Sequence, residues 1–404
     1  MTISATGPLA AAGASSSWLV GRRLQISGSA SARTDIALIG FAHDVVRSLV
    51  KSAMTAGAGI VVGLGKEPRP DGAPAATPSM LFDWTALEAA AQCISSGICA
   101  WPKKFGVPIV VVTSEKAESE IPDDRRPLYE ALLKSGLLQV EYIMPGSRAA
   151  AFLRHRQSTF GDALLIIGGG TGVEHSASLY LQRRKPVVPL DLPLGASRED
   201  GTGGAMRLSK EARHDPARFL RFDPAFAHLE GAALAAIATR NGAAAPAEIS
   251  AKIFELLIRL ARPTAFYVRL LNPTHAKFGA VESFFREVVD PVVDDAGLTR
   301  VEIGTDKSEH AFMNVAIFES LHYSSMAIVD VTGERPNCFI ELGYALGTQN
   351  RVLVTAEEGT KLPFDQEMIP CHFWKPAALV SDRKKDFLEF WEKYISRPPV
   401  VEAD

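Results

Sequence analysis

The sequence predicts an α/β protein with two successive parallel-sheet units, and three observations carry that expectation. Short apolar runs alternate with longer amphipathic stretches. Helical patterns separate most of those runs, which is the spacing a parallel sheet requires. The alternation lapses once, in the small and weakly patterned "GAALAAIATRNGAAAPAEIS", and begins again at "TAFYVRLL". A chain of 404 residues has room for two ordinary domains.

In chain order, strands are expected at "RRLQISGS" (22–29), "GIVVGLG" (59–65), "VPIVVVTS" (107–114), "ALLIIGGG" (163–170) and "KPVVPLDL" (185–192). The change in composition places a domain boundary near residue 245. The second unit then reads as a strand at 264–271, a helix around 279–296, a polar stretch and a helix around 308–323. The strand "MAIVDV" (326–331), a further helix and "RVLVTAEE" (351–358) complete it. The expected organisation is a loose tail over 1–17, a first domain over 18–245 and a smaller second domain over 246–404. The two halves share architecture without a repeat of fixed period.

Composition excludes several functions. A net charge of −3 leaves no electrostatic footprint for nucleic acid or anionic lipid. Cys93, Cys99, Cys338 and Cys371 are scattered, with no CxxC pair and no histidine at zinc-site spacing, so a reducing cytoplasm and no metal are expected. The Ala- and Ser-rich N-terminus lacks a basic region and an apolar core, so it does not read as a signal peptide. Nowhere do eighteen apolar residues run together, and no membrane span is expected.

Two glycine turns follow strands in the first unit. Gly168, Gly169, Gly170, Thr171 and Gly172 end one strand and open a helix, and Gly28 with Ser27, Ser29 and Ser31 ends another. Such turns let a ligand approach the backbone, and the helix dipole favours a phosphate there; tight packing of any parallel sheet also uses small residues at these places. The order of "ISGSA", "AGAGIVVGLG", "DALLIIGGGTGVEHSASL" and "KPVVPL" resembles the SLOG superfamily, which includes LOG-type phosphoribohydrolases, DprA-like proteins and nucleotide sensors of bacterial conflict systems. The resemblance covers roughly residues 20 to 235 and implies a Rossmann-like, nucleotide-binding domain. In the phosphoribohydrolase pattern PGGxGTxxE the Glu is catalytic. Here the run lacks the proline and its spacing is altered, so Glu174 is expected to favour the helix start, and binding without turnover is expected. The segment 195–215, with Arg198, Arg207 and Lys210 as possible phosphate contacts, reads equally as a lid or as a surface insertion.

In the second unit, "PNCFIELGYALG" carries one carboxylate, Glu341, in an apolar helix. A helix apolar nearly all round is expected to be buried, and a buried carboxylate is paired, protonated or used. Asn337, directly after Pro336, suits an N-cap. Asp330 ends a strand on the side where α/β sites collect, so two carboxylates are expected to face one crevice, as cleavage at an anomeric carbon would use.

"AIVDVTGERPNCFIELGYALG", with "FYVRLLNP", "FFREVVDPVVDDAGL" and "VLVTAEEGTKLPFD", resembles the nucleoside 2-deoxyribosyltransferase-like and TIR-like domains of bacterial antiphage defence proteins. The match spans about residues 263 to 398 and implies a flavodoxin-like fold. It also implies a catalytic Glu341, Asp330 near the sugar, and Asn337, Arg269 and Asn272 as substrate contacts. For Arg269 and Asn272 an ordinary exposed strand end is the competing reading.

Together the resemblances imply a cytoplasmic homo-oligomer that cleaves an N-glycosidic bond, with NAD as substrate and no cofactor. A nucleotide-derived signal, a cyclic nucleotide or an ADP-ribose derivative, would bind the first domain. A pure binding module and a metabolic nucleosidase with a catalytic first domain are the alternatives.

Overall fold

The computed structural model describes residues 18–69, 74, 77–144, 146, 148–194, 204–221, 245–302, 313–348, 351–362 and 369–395. The expected tail, Arg198 and most of the stretch that suggested the boundary lie outside the described residues.

Two all-parallel sheets with flanking helices form a Rossmann-like α/β architecture in two domains. The first sheet contains β1 (Arg23–Ser29), β2 (Gly59–Gly63), β3 (Ile109–Thr113), β4 (Leu138–Tyr142), β5 (Ala163–Gly168) and β6 (Val187–Leu190). Its order is β4-β3-β2-β1-β5-β6, so the chain reverses direction across the sheet between β1 and β5. A doubly wound sheet opens its ligand crevice at that reversal, beyond the carboxyl ends of the strands. Ser29 pairs with Gly168 there, which brings both glycine turns to the same place.

The second sheet contains β7 (Thr264–Val268), β8 (Thr299–Val301), β9 (Met326–Asp330), β10 (Arg351–Glu357) and β11 (Cys371–Trp374), in the order β11-β10-β9-β7-β8. Its reversal lies between β7 and β9, so the segment after Val268 and the turn after Asp330 share a carboxyl-end crevice.

The expected central strands are present within a few residues of their predicted limits. The sequence pattern did not predict β4, β8 and β11, and all three are edge strands. β4 keeps only Leu138 buried and β8 is three residues long with no buried position, so neither carries a continuous apolar run. The helix Pro246–Leu257 follows the boundary suggested by composition, yet Ile249, Ile253, Leu256 and Leu257 join the first unit's core. Ser250 also donates to the Val45 carbonyl at 3.0 Å, so the packing unit of the first sheet extends past residue 245.

The two sheets meet at their amino ends. Phe105, just before β3, is buried in the second unit's core with Ala265, Met326 and Trp391. The Arg22 guanidinium donates to the Ala296 carbonyl at 3.2 Å, and Lys104 donates to the Asp295 carbonyl at 3.0 Å. Arg351, opening β10, lies 3.9 Å from Asp162, which precedes β5. The two carboxyl-end crevices therefore face away from the junction.

Phe105→Ala removes a ring from the second core, a truncation that costs about 3–5 kcal/mol in well-packed sites. Calorimetry of the full chain is expected to show a lowered transition that separates into two, one for each unit. A single transition at the parent temperature would show that this ring does not couple them.

Candidate functional site

The first crevice is built from backbone. Gly168 and Gly169 have φ of +63° and +75°, values in the left-handed region that favours glycine. The Gly169 N–H donates to the Ser29 carbonyl at 2.7 Å, which locks the two turns together. A side chain at Gly28 would collide with the Ile167 carbonyl, so β1 and β5 approach closely only because that residue is glycine. The helix Thr171–Gln182 starts at this point with Gly170 as its N-cap and no capping side chain. Thr171 is exposed, and Gly170 and Gly172 are half-buried.

Glu174 lies in the first turn of that helix, and its carboxylate accepts the Gly204 N–H at 3.0 Å. It thus holds the start of the helix Ala205–His214, in which Ala205, Leu208 and Ala212 are buried. The later part of the expected lid is therefore a docked helix. Arg207 is drawn to Glu174 at 3.5 Å and to Glu211 at 3.0 Å, while Lys210 is exposed.

Two residues outside the sequence reading lie at this end of the sheet. Arg154 packs over Gly172, with an Nη 2.8 Å from where a Cβ would stand. Among the described residues Arg154 has no hydrogen-bond or ion-pair partner, which leaves a cation beside a helix start. Asp83 accepts the Gly63 N–H at 2.9 Å at the end of β2, and burial pushes its carboxyl up to about 6. Ser29 bridges to Leu81, two residues before Asp83, which brings that carboxyl to the same end of the sheet.

In the second crevice Asp330 is fully buried. It accepts from the Thr332 N–H at 3.0 Å, the Thr355 hydroxyl at 2.8 Å and the Trp374 indole N–H at 3.0 Å. Burial raises its carboxyl above the usual range, and these donors pull it back. One carboxylate thus ties together the carboxyl ends of β9, β10 and β11. The expectation that it faces the crevice beside Glu341 is corrected: its oxygens are engaged by protein donors inside the core.

Glu341 lies on the helix Pro336–Gly347, of which only Cys338, Leu342 and Ala345 are buried. Ile340 is 59% exposed, so the helix is not buried all round as its composition suggested. Glu341 itself is half-buried, and among the described residues it has no hydrogen-bond or ion-pair partner. Partial burial raises its carboxyl above the ordinary range, and Arg335 opposes the shift. Asn337 is exposed and does not cap; Arg335 is the N-cap, and Pro336 takes the first helical position.

Arg269 is engaged internally. It forks onto Glu302 at 2.6 and 3.1 Å, pairs with Glu282 and lies over the Phe285 ring. Asn272 is exposed, and its side-chain oxygen accepts from Thr274, fixing the loop after β7. His275 in that loop packs on Gly333, and Lys277 pairs with Glu357 at 2.7 Å, so the loop closes over the ends of β9 and β10. These three side chains carried no motif in the sequence; only the fold brings them together. No group of His, Cys, Asp and Glu suited to a metal ion occurs among the described residues. No described helix is long and apolar enough to cross a membrane.

The glycine crevice yields a direct test: a cyclic nucleotide or an ADP-ribose derivative is expected to raise the melting temperature of the full chain, and Arg154→Ala to remove most of that rise. The variant's ligand-free melting temperature should stay near the parent's, since Arg154 makes no ion pair among the described residues. An undiminished rise would remove Arg154 from the site.

A family model described as "ATP nucleosidase Cap17-like, N-terminal" matches residues 19–246. Two curated relatives, each an ATP nucleosidase Cap17, one from Escherichia coli (strain KTE188) and one from Escherichia coli, are 31% identical over 179 residues. That alignment covers 44% of this chain and 34% of each relative, so the chain spans about a third of the length of the curated relatives it matches. Because the family match takes in more than half of its residues, the chain belongs to the Cap17-like N-terminal family.

Proposed function

We propose that the chain is a nucleotide N-glycosidase in which the second crevice breaks the bond between base and ribose and Glu341 is the catalytic carboxylate. One observation carries the placement: Glu341 is half-exposed, raised in pKa and unpartnered among the described residues, beside strand ends that Asp330 fixes. An unengaged carboxylate can stabilise or attack the positive charge that develops at the anomeric carbon, and water completes the hydrolysis. On this reading Asp330 is a positioning residue.

The substrate is an adenine nucleotide. The relatives' name supports ATP, and the second unit's resemblance to transferase-like domains supports NAD. The two differ in chemistry. Nicotinamide leaves from a cationic ring and needs no acid, whereas neutral adenine leaves more readily if a group donates it a proton. The first crevice receives the nucleotide-derived signal, and the proposed setting is antiphage defence by a homo-oligomer.

A second reading has its own support. The family match lies over the first unit, and Asp83 titrates near 6, where a carboxyl can serve as a proton donor. Cleavage would then occur in the glycine crevice.

Release of adenine from ATP and of nicotinamide from NAD by Glu341→Gln and Asp83→Asn separates the readings. The proposal expects Glu341→Gln to lose about a hundredfold or more in rate, comparable to removing an electrostatic stabiliser, with Asp83→Asn near the parent. Loss confined to Asp83→Asn would transfer catalysis to the first unit.

The pH dependence has a definite sign. The folded-state pKa of Glu341 is raised, so acidification through it protonates the carboxyl. That favours the fold while removing activity. The parent's rate should fall on the acid side above the usual Glu range, and Glu341→Gln should be as stable as the parent or more so. A rate that is flat down to the ordinary carboxylate range would remove Glu341 from catalysis.

A further inference from the structure

The junction between the units encloses a cavity of about 570 Å³, within the span of roughly 300–1,000 Å³ usual for small-molecule sites. It lies at the amino ends of both sheets. Asp162 and Pro186 precede β5 and β6, and Thr264, Ser325 and Arg351 stand at or just before the starts of β7, β9 and β10. The strands separate it from the glycine crevice by roughly 20 Å, at about 3.3 Å for each of the six residues of β5.

Cations dominate its wall. Arg183, Arg184, Lys185, Arg221, Arg262 and Arg351 line it, and Asp162 is the one carboxylate among the described lining residues. Asp162 is already engaged, accepting the Arg23 N–H at 2.9 Å with Arg351 at 3.9 Å. Arg184 is also occupied, pairing with Glu319 at 2.9 Å and lying 3.5 Å from the Tyr323 ring centre. Arg183 and Arg221 are less committed. Arg183 reaches a ring nitrogen of the neutral-favoured His155 at 3.1 Å, and the buried Nε of Arg221 has no hydrogen-bond partner among the described residues. The half-buried Lys185 donates to the Ser158 and Gly161 carbonyls at 2.8 and 2.6 Å. Burial first, and then Arg183, Arg351 and Arg22, lower its ammonium to about 7 against the pull of Asp162, as a positive local field would. Hydroxyls of Thr159, Ser324 and Ser325 line the same space.

With Arg184 held by Glu319, Asp162 is left facing Arg183, Arg221 and Arg351, and half-buried guanidinium groups gathered in this way are matched by several oxyanions in a row. We infer that the junction is a second anion site, built for the di- or triphosphate chain of a nucleotide and separate from both carboxyl-end crevices. Because the wall draws on both units, an occupied site would bridge Arg183 and Arg221 of the first to Ser324, Ser325 and Arg351 of the second.

Calorimetric titration of the full chain carrying Arg154→Ala, which weakens the glycine crevice, tests this. The probes are inorganic tripolyphosphate and ATP. Binding of tripolyphosphate is expected, and adding Arg183→Gln with Arg221→Gln should weaken it at least about tenfold, the loss of one or two charge-assisted hydrogen bonds. Arg183→Lys with Arg221→Lys, which keeps the charge, should recover part of the affinity and guards against a folding defect. ATP binding that the same Gln pair weakens assigns the pocket to a nucleotide; weakening of tripolyphosphate binding alone assigns it to the phosphate chain. No binding of either probe, or equal affinity in the Gln variant and its parent, would overturn the inference.

Discussion

The structure depends on how its two parallel sheets are joined, amino end against amino end. Helix dipoles in such sheets point their positive ends toward the carboxyl edge, so both ligand crevices face outward, away from the junction. The junction is left with buried cations at strand starts. Arg22 and Arg23 are each buried, and burial lowers both to about 10. Backbone carbonyls absorb them: Ala296 receives Arg22, and Val107 and Phe105 receive Arg23. Asp162 supplies the counter-charge, held below its usual range by Arg351 and Arg22 in spite of its burial. Its stabilising contribution is thus present above the ordinary Asp pKa and is lost as pH falls through the lowered value.

Within the second unit Asp330 plays a comparable organising part. A buried carboxylate is tolerated when donors surround it, and Thr332, Thr355 and Trp374 do so. Trp374 is placed in turn by stacking on Phe284, with ring centres 4.7 Å apart. The strand ends that flank Glu341 are therefore fixed by a polar core.

Much of this was legible in the sequence. The central strands β2, β3, β5 and β9 were, because each is a nearly uninterrupted apolar run that the sheet buries. The edge strands β4, β8 and β11 were not, because an edge needs no such run. The glycine turns were legible as tight strand-end turns, but their meeting at Ser29 and Gly168 is a matter of strand order. Glu341 stood out as the one charge in an apolar helix, although the inference to full burial failed: Ile340 and Glu341 turn outward while Cys338 and Leu342 fill the core. Arg269 read as a strand-end cation, and only the fold shows Glu302 and Glu282 engaging it. Asp83, Arg154 and the junction cations had no local signature at all, since the groups that define their surroundings are distant in the chain.

The claim that unites these features is cleavage between base and sugar by the chain itself. Incubation of the purified protein with ATP in ¹⁸O-enriched water, followed by mass spectrometry of the products, addresses it without any variant. The account predicts free adenine together with a ribose triphosphate that carries one ¹⁸O on the sugar. Label in released phosphate with the base still attached, or intact ATP and intact NAD after prolonged incubation with every tested nucleotide signal, would contradict it.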